Sequence, residues 1–352
     1  MRATRATVRT TGRRIGETTA RWVTARSVVP LAAVTAFTVL AACTGSGDAD
    51  EQPDAAAVAA GPMPGPALVR IQDPGLHPEG VEWDAGGERF LVSSVTRGTV
   101  TEVHDDGSHT VFIDDPDIVS SIGIHIDRSN GRLLVANSNL AVFQGGDSHA
   151  MIGSYDLETG ERIFMTDLGA LTPGGPQFAN DVVTAPDGTA YVTNFQTAAI
   201  YRVSLDGTAE VLVSGDALAP GGINGIEYHR DGYLLAAQVN AAALLKISLD
   251  GSEVTAVGLP EPLLIDGLVF LADGRLAAVA GTGEGETGRT EVVLLSSTDG
   301  WTNASIAGRW EAARDATTAA VRDGQVYVVD ARFGDMGSDA ASSFDITRAE
   351  LP

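Results

Sequence analysis

The sequence holds one cysteine and one lysine in 352 residues, and only 23 basic residues against 46 acidic ones. A single cysteine, Cys43, can neither staple a disulfide framework nor build a thiolate zinc site. A single lysine, Lys246, leaves Schiff-base chemistry one candidate. The net charge of −23 argues against nucleic acid as a partner, because a phosphate backbone is held by clustered Lys and Arg. No Gly-x-Ser-x-Gly elbow is present, which speaks against a serine hydrolase. The glycine-rich stretch 281–288 has no lysine after its last glycine and no helix to follow, so it reads as a loop and not as a phosphate cradle. Apolar residues make up 44% of the chain, too many for disorder. What remains is an acidic globular protein of one large domain or two small ones.

The charge is unevenly spread. Residues 1–42 carry seven Arg and one acid, Glu17; without them the chain has 16 basic and 45 acidic residues, a net charge near −29. Fifteen uncharged residues, Val28 to Ala42, follow the last of these arginines, Arg26, and its small uncharged neighbour Ser27. That is short of the roughly 20 needed to span a bilayer but suits a signal-peptide core. The core ends in Leu40, Ala41, Ala42 and Cys43, which resembles the lipobox of bacterial lipoproteins. The resemblance implies lipidation of Cys43 and export to the outer face of the cell membrane. Residues 43–66, rich in Ala, Gly, Pro and Asp, read as a flexible tether, and the folded part as 67–352.

That folded part repeats. TAPDGTAYVTNFQTAAIYRVSLDG (184–207) and YHRDGYLLAAQVNAAALLKISLDG (228–251) align without gaps, and WDAGGERFLVSSVTRGTVTEVHDDG (83–107) does so approximately. Each has a glycine turn, an apolar strand, a polar break, a second strand and a closing Asp-Gly. Asp-Gly between apolar runs is a hairpin signal, since the turn needs a positive φ. First-turn glycines at 87, 131, 188, 232, 274 and 324 are spaced by 44, 57, 44, 42 and 50 residues. A period in the forties with several strands per unit predicts an all-β, six-bladed propeller with four-stranded blades. A seven-bladed ring with one eroded unit is the alternative. The early strand 67–71 is expected to pair with the last blade and close the ring.

Before each first strand lies a short element with a recurring polar position: Glu79-Gly80, Ile122-Gly123, Asn180-Asp181, Asn224-Gly225, Asp266-Gly267 and Thr317-Thr318. In a propeller the first strands line the central channel, so these positions converge. Turn chemistry explains Asn224 and Asp266 singly, but not Glu79 in phase with them. Two carboxylates and two amide oxygens, from Glu79, Asp266, Asn180 and Asn224, are the hard donors that Ca²⁺ prefers. The lack of His and Cys in these slots disfavours zinc or copper. His125 reads as an ordinary strand residue.

HPEGVEWD (77–84), QFANDVVTAPDG (177–188), GGINGIEYHRDG (221–232) and LIDGLVFLADG (264–274) resemble the senescence-marker-protein, gluconolactonase and luciferin-regenerating-enzyme family of six-bladed propellers. The resemblance implies a channel divalent cation held by Glu79, Asn224 and Asp266, with Asn180 beside metal and substrate. It implies that the cation polarises the carbonyl of a lactone or related ester, with Asp266 as general base towards water. Gln177, Phe178 and Asn180 then fall on the substrate side. Sugar-lactone hydrolases of this family carry Arg where this chain has Phe178, so gluconolactone loses its cationic partner. Paraoxonase-like enzymes carry His where this chain has Ile122. The alternative function is a non-catalytic propeller that binds a ligand or protein at the cell surface.

Overall fold

Short apolar runs bounded by Gly, Asp and Ser give strands of three to eight residues, from Leu68–Ile71 to Phe344–Arg348. The computed structural model describes residues 65–282, 289–313, 315–338 and 340–352. The expected leader 1–42, Cys43 and nearly all of the tether 43–66 lie outside the described residues. Among the described residues there is no α-helix, only short 3₁₀ turns, and no helix long and apolar enough to cross a membrane.

The strands form six four-stranded antiparallel sheets, so the ring has six blades and not seven. Blades 1 to 5 each run outwards in chain order, from inner strands Val81–Asp84, Ser120–Asp127, Ala179–Thr184, Ile223–His229 and Leu264–Phe270. Blade 6 takes three strands from the C-terminus, beginning with Ala316–Arg322, and its outermost strand from Leu68–Ile71. That strand pairs antiparallel with Phe344–Arg348, Leu68 opposite Thr347 and Ile71 opposite Phe344. Arg70 adds a two-pronged ion pair to Asp345 across the seam, both contacts at 2.8 Å. The ring is closed as expected, and its one chemical seam is protected from pairing with another chain.

Turn glycines set the blade edges. Gly131, Gly188, Gly232, Gly274 and Gly324 all have positive φ, as the hairpin signal requires. Blade 1 differs: Glu88, not Gly87, takes the left-handed conformation, at φ 50°. A Cβ at Gly87 would lie 2.7 Å from the Asp84 carboxylate and 2.8 Å from Arg89 Nε, so those side chains would have to shift to admit one.

The core is divided into six apolar clusters, each lying between two adjacent blades. Val69, Ile71, Phe90, Tyr327 and Phe344 join blades 6 and 1, and Leu91, Ile113, Ile124 and Tyr155 join blades 1 and 2. Leu134, Ile152, Val192 and Tyr201 join blades 2 and 3. The remaining three interfaces are built alike. Blade-on-blade packing therefore sets where the inner strands stand, and with them the channel.

Ile71 is fully buried at the seam and Leu68 is 44% exposed. Ile71→Ala should lower the unfolding free energy by about 2–5 kcal/mol. Leu68→Ala should change it by no more than about 0.5 kcal/mol. Equal effects in denaturant titration would contradict the closure.

Candidate channel site

The inner strands of blades 2 to 6 break register at the same place. The shifts fall between Ser121 and Ile124, Ala179 and Val182, Ile223 and Ile226, Ile265 and Leu268, and Ala316 and Ala319. In blade 1, Ser93 N donates to Gly80 O at 3.0 Å just ahead of the paired strand. A bulge of this kind bends the strand and re-aims its side chains. Five bulges in phase, with the unbroken inner strand of blade 1 beside them, put one residue pair per blade at the channel, the pairs that begin with Glu79, Ile122, Asn180, Asn224, Asp266 and Thr317.

The second residue of each pair faces the next strand at close range. A Cβ on Gly80 would lie 2.7 Å from Ile122 O, one on Gly123 would lie 2.6 Å from Asn180 O, and one on Gly225 would lie 2.5 Å from Asp266 O. Glycine is required there by space. The exceptions are Asp181 and Thr318. Asp181 takes the slot by accepting from two backbone amides, Val182 N at 2.8 Å and Ile226 N of the next blade at 3.1 Å.

The first residues of the pairs are those singled out in the sequence. Asn224 Nδ2 donates to Asp266 Oδ1 at 2.8 Å, across blades 4 and 5. Glu79 is buried, its carbonyl accepting from Thr317 Oγ1 at 2.7 Å. Asn180 is also buried, and its Oδ1 has no hydrogen-bond partner. A buried amide oxygen without a donor is costly unless something electropositive meets it. Burial pushes Glu79 well above the usual carboxylate range, and the nearby charges of Asp266 and Asp181 push it further. Burial likewise takes Asp266 to about 7, although Asn224 pulls it down. No three His, Cys, Asp or Glu side chains are grouped to hold a metal by themselves among the described residues. Two carboxylates supplemented by amide oxygens, one of them unsatisfied, are a donor set that fits a hard cation.

Four further polar residues line the channel: Asp181, Glu82 and Glu227, which were not singled out, and His125, which was read as an ordinary strand residue. Asp181 occupies a glycine slot, and Glu82, His125 and Glu227 stand two residues beyond the slots of blades 1, 2 and 4. All four surround an inner cavity of about 30 Å³, room for a water or an ion and no more. His125 is therefore a channel residue as well as a strand residue. Its Nδ1 lies 3.0 Å from Glu82 Oε1 and its Nε2 3.0 Å from Thr184 Oγ1. Burial, the largest single influence, would lower the imidazole's pKa; the bond to Glu82 and the charges of Glu82, Glu227 and Asp181 together outweigh it and raise it. Burial raises Glu227 to about 8 and Asp181 to about 6. The sequence did carry a signal: alternation by two along each inner strand, and an Asp where other blades have Gly.

A second, larger cavity of about 340 Å³ opens on the face where the inner strands begin. Asn224, Asp266 and Thr317 lie at its inner end. Gln177 and Phe178, expected beside the substrate, are engaged elsewhere. Gln177 Nε2 donates to Thr172 O at 2.7 Å, and its Oε1 accepts from Asn194 Nδ2 at 2.7 Å, so the side chain braces its own loop. Phe178 is buried with its ring edge-on to Phe143 at 5.0 Å.

The buried acids set a pH dependence. Asp181, Asp266 and Glu227 keep protons in the folded chain that the unfolded chain has already lost above about pH 4.5. The folded state then binds more protons between about pH 4.5 and 8, and stability falls as pH rises. His125, raised in the folded chain, contributes in the same direction. The turn acids Asp206, Asp250 and Asp299, held at about 2 by hydroxyl and amide donors, titrate below this window. In chelator the melting midpoint should be lower at pH 8 than at pH 5, and Glu227→Gln should shrink the difference. A midpoint that rises over this range would contradict the electrostatics.

No family model matches the sequence, and no curated protein matches it either. Solved structures do match. The major allergen Mala s 1 of Malassezia sympodialis superposes with a TM-score of 0.65 at 18% identity, covering 81% of this chain and 96% of the allergen. A gluconolactonase from Xanthomonas campestris gives 0.55 at 17% identity, covering 81% and 89%. A calcium-binding protein, regucalcin, from Agrobacterium tumefaciens gives 0.54 at 18%, covering 80% and 94%. At these identities the likeness is one of fold: the chain is a six-bladed propeller of the kind seen in gluconolactonase and regucalcin.

Proposed function

We propose that this chain is a metal-dependent hydrolase of a lactone or related ester, exported and tethered to the outer face of a bacterial membrane through Cys43. The observation that carries the hydrolase reading is the hydrogen-bonded Asn224–Asp266 pair at the inner end of an open cavity. The named activities of two structural neighbours, a gluconolactonase and a calcium-binding protein, point the same way. The tether rests on the basic leader and the sequence around Cys43.

Glu79, Asp266 and the amide oxygens of Asn224 and Asn180 would hold the cation, Ca²⁺ by its preference for hard oxygen donors. Once bound, it would polarise the ester carbonyl. The other steps belong to the chain. Asn224 holds Asp266 Oδ1 through its amide hydrogen, which fixes the carboxylate plane and leaves Oδ2 to take the proton of an attacking water. Burial holds Asp266 at about 7 in the cation-free chain, and a bound cation would lower it and leave the carboxylate ionised to accept the proton. The inner cavity below is too small for substrate, so the reaction is confined to the mouth.

The full chain supplied with Ca²⁺ should hydrolyse at least one member of a panel of lactones and esters, and chelator should stop it. Asp266→Asn should lower kcat/KM about 100-fold or more. Unchanged activity in that variant would overturn the base assignment. A chain that hydrolyses nothing, yet melts lower in chelator, would favour the non-catalytic ligand-binding reading. Cys43→Ala should move the chain from the membrane to the soluble fraction of its host; persistence at the membrane would overturn the anchor.

A further inference from the structure

The mouth cavity is walled by apolar side chains from four different blades. Phe195, Val239 and Phe333 come from the loops between second and third strands, and Leu264 from the start of an inner strand. Leu264 is 41% exposed and Phe143, in the corresponding loop of blade 2, is 55% exposed. Phe143 is the one Phe, Tyr or Trp side chain left largely in solvent among the described residues, and its ring lies 6.1 Å from that of Phe195. A cluster of exposed apolar groups around a polar centre marks a binding surface.

Charge is arranged to match. Asp266 and Asp315 are the charged side chains among the described residues of this cavity, and none of those described is a Lys or Arg. Asp315 is occupied: its Oδ2 accepts from Gly334 N at 3.2 Å, which pins the loop bearing Phe333. The neighbouring Arg332 is turned away, donating to Asp335 Oδ2 at 3.0 Å and to Ser343 O at 3.1 Å. Away from the proposed cation, a polyhydroxylated or anionic substrate would meet no described Lys or Arg and, at the outer walls, mainly Phe195, Val239, Leu264 and Phe333. Burying its hydroxyls against Phe195, Leu264 and Phe333 would cost more than it returned.

We infer that the mouth accepts a lactone or ester carrying an apolar chain or ring beside its carbonyl, and disfavours sugar lactones. This rests on the hydrolase reading above for the ester, and on the walls alone for the apolar group.

The test is a series of γ-lactones with alkyl tails from methyl to hexyl, compared with glucono-δ-lactone, on the full chain with Ca²⁺. kcat/KM should rise about three- to fourfold for each methylene that the walls cover. Gluconolactone should lie at least about tenfold below the best member, since unpaired polar groups are rejected more strongly than a missing methylene is. Phe333→Asn and Phe195→Asn should flatten the dependence on tail length. A flat series, or preference for gluconolactone, would overturn the apolar pocket while leaving the hydrolase reading intact. If nothing is hydrolysed, the hydrolase reading fails, and calorimetric titration of the same lactones decides the pocket. Affinity graded by tail length would support it, and affinity independent of the tail would overturn it.

Discussion

The structure depends on how closely six strands can approach one another around a central channel. At one position of four inner strands there is no space for an ordinary side chain, and the chain meets this with Gly80, Gly123, Gly225 and Gly267, while blade 6 carries Thr318 there. Asp181 solves the same problem differently, by binding the amide of the neighbouring strand. The bulges that accompany this crowding turn the preceding residue towards the channel. Asn224 and Asp266 are thus brought into hydrogen-bond contact, with Glu79 close enough to feel the Asp266 charge, as a consequence of packing, and the blade-to-blade apolar clusters support the arrangement.

That presentation is electrostatically expensive. Glu79, Glu82, Asp181, Glu227 and Asp266 share the channel with a single imidazole, His125, and no Lys or Arg among the described lining residues. Burial and mutual repulsion resist ionisation of four of these acids. Such a cluster is relieved by protons at low pH or by a cation at higher pH, and metal binding is then coupled to proton release. An acid whose proton is easily gained and lost near neutrality is also the kind of group that moves protons in catalysis. The same strain that destabilises the cation-free ring prepares Asp266 for its proposed role.

The fold was legible because each unit announces itself with a turn glycine; the six-fold repeat followed from counting those turns, and the closing strand, expected at 67–71 and observed at Leu68–Ile71, from its place ahead of the first unit. Gly87 marked its unit correctly, although the left-handed residue is Glu88. The first ring of channel residues was legible because it sits in phase with the repeat. The second ring was less so: Glu82, His125 and Glu227 look like any polar residue on an alternating strand until the inward face is known. The walls of the mouth had no sequence signature. Phe143, Phe195 and Phe333 lie in loops of unequal length with no shared period, and only the ring brings them to one face. Gln177 shows the converse, since its place beside a channel motif gave no hint that Thr172 and Asn194 engage its amide.

The central claim is that the channel is a site for one hard cation whose binding displaces protons. A calorimetric titration of the full chain with Ca²⁺, repeated in buffers of different ionisation enthalpy, measures stoichiometry and proton release together. The account predicts one ion per chain, protons released at pH 7, and loss of the signal in Asp266→Ala. Binding that releases no protons, or that survives in Asp266→Ala unchanged, would contradict it.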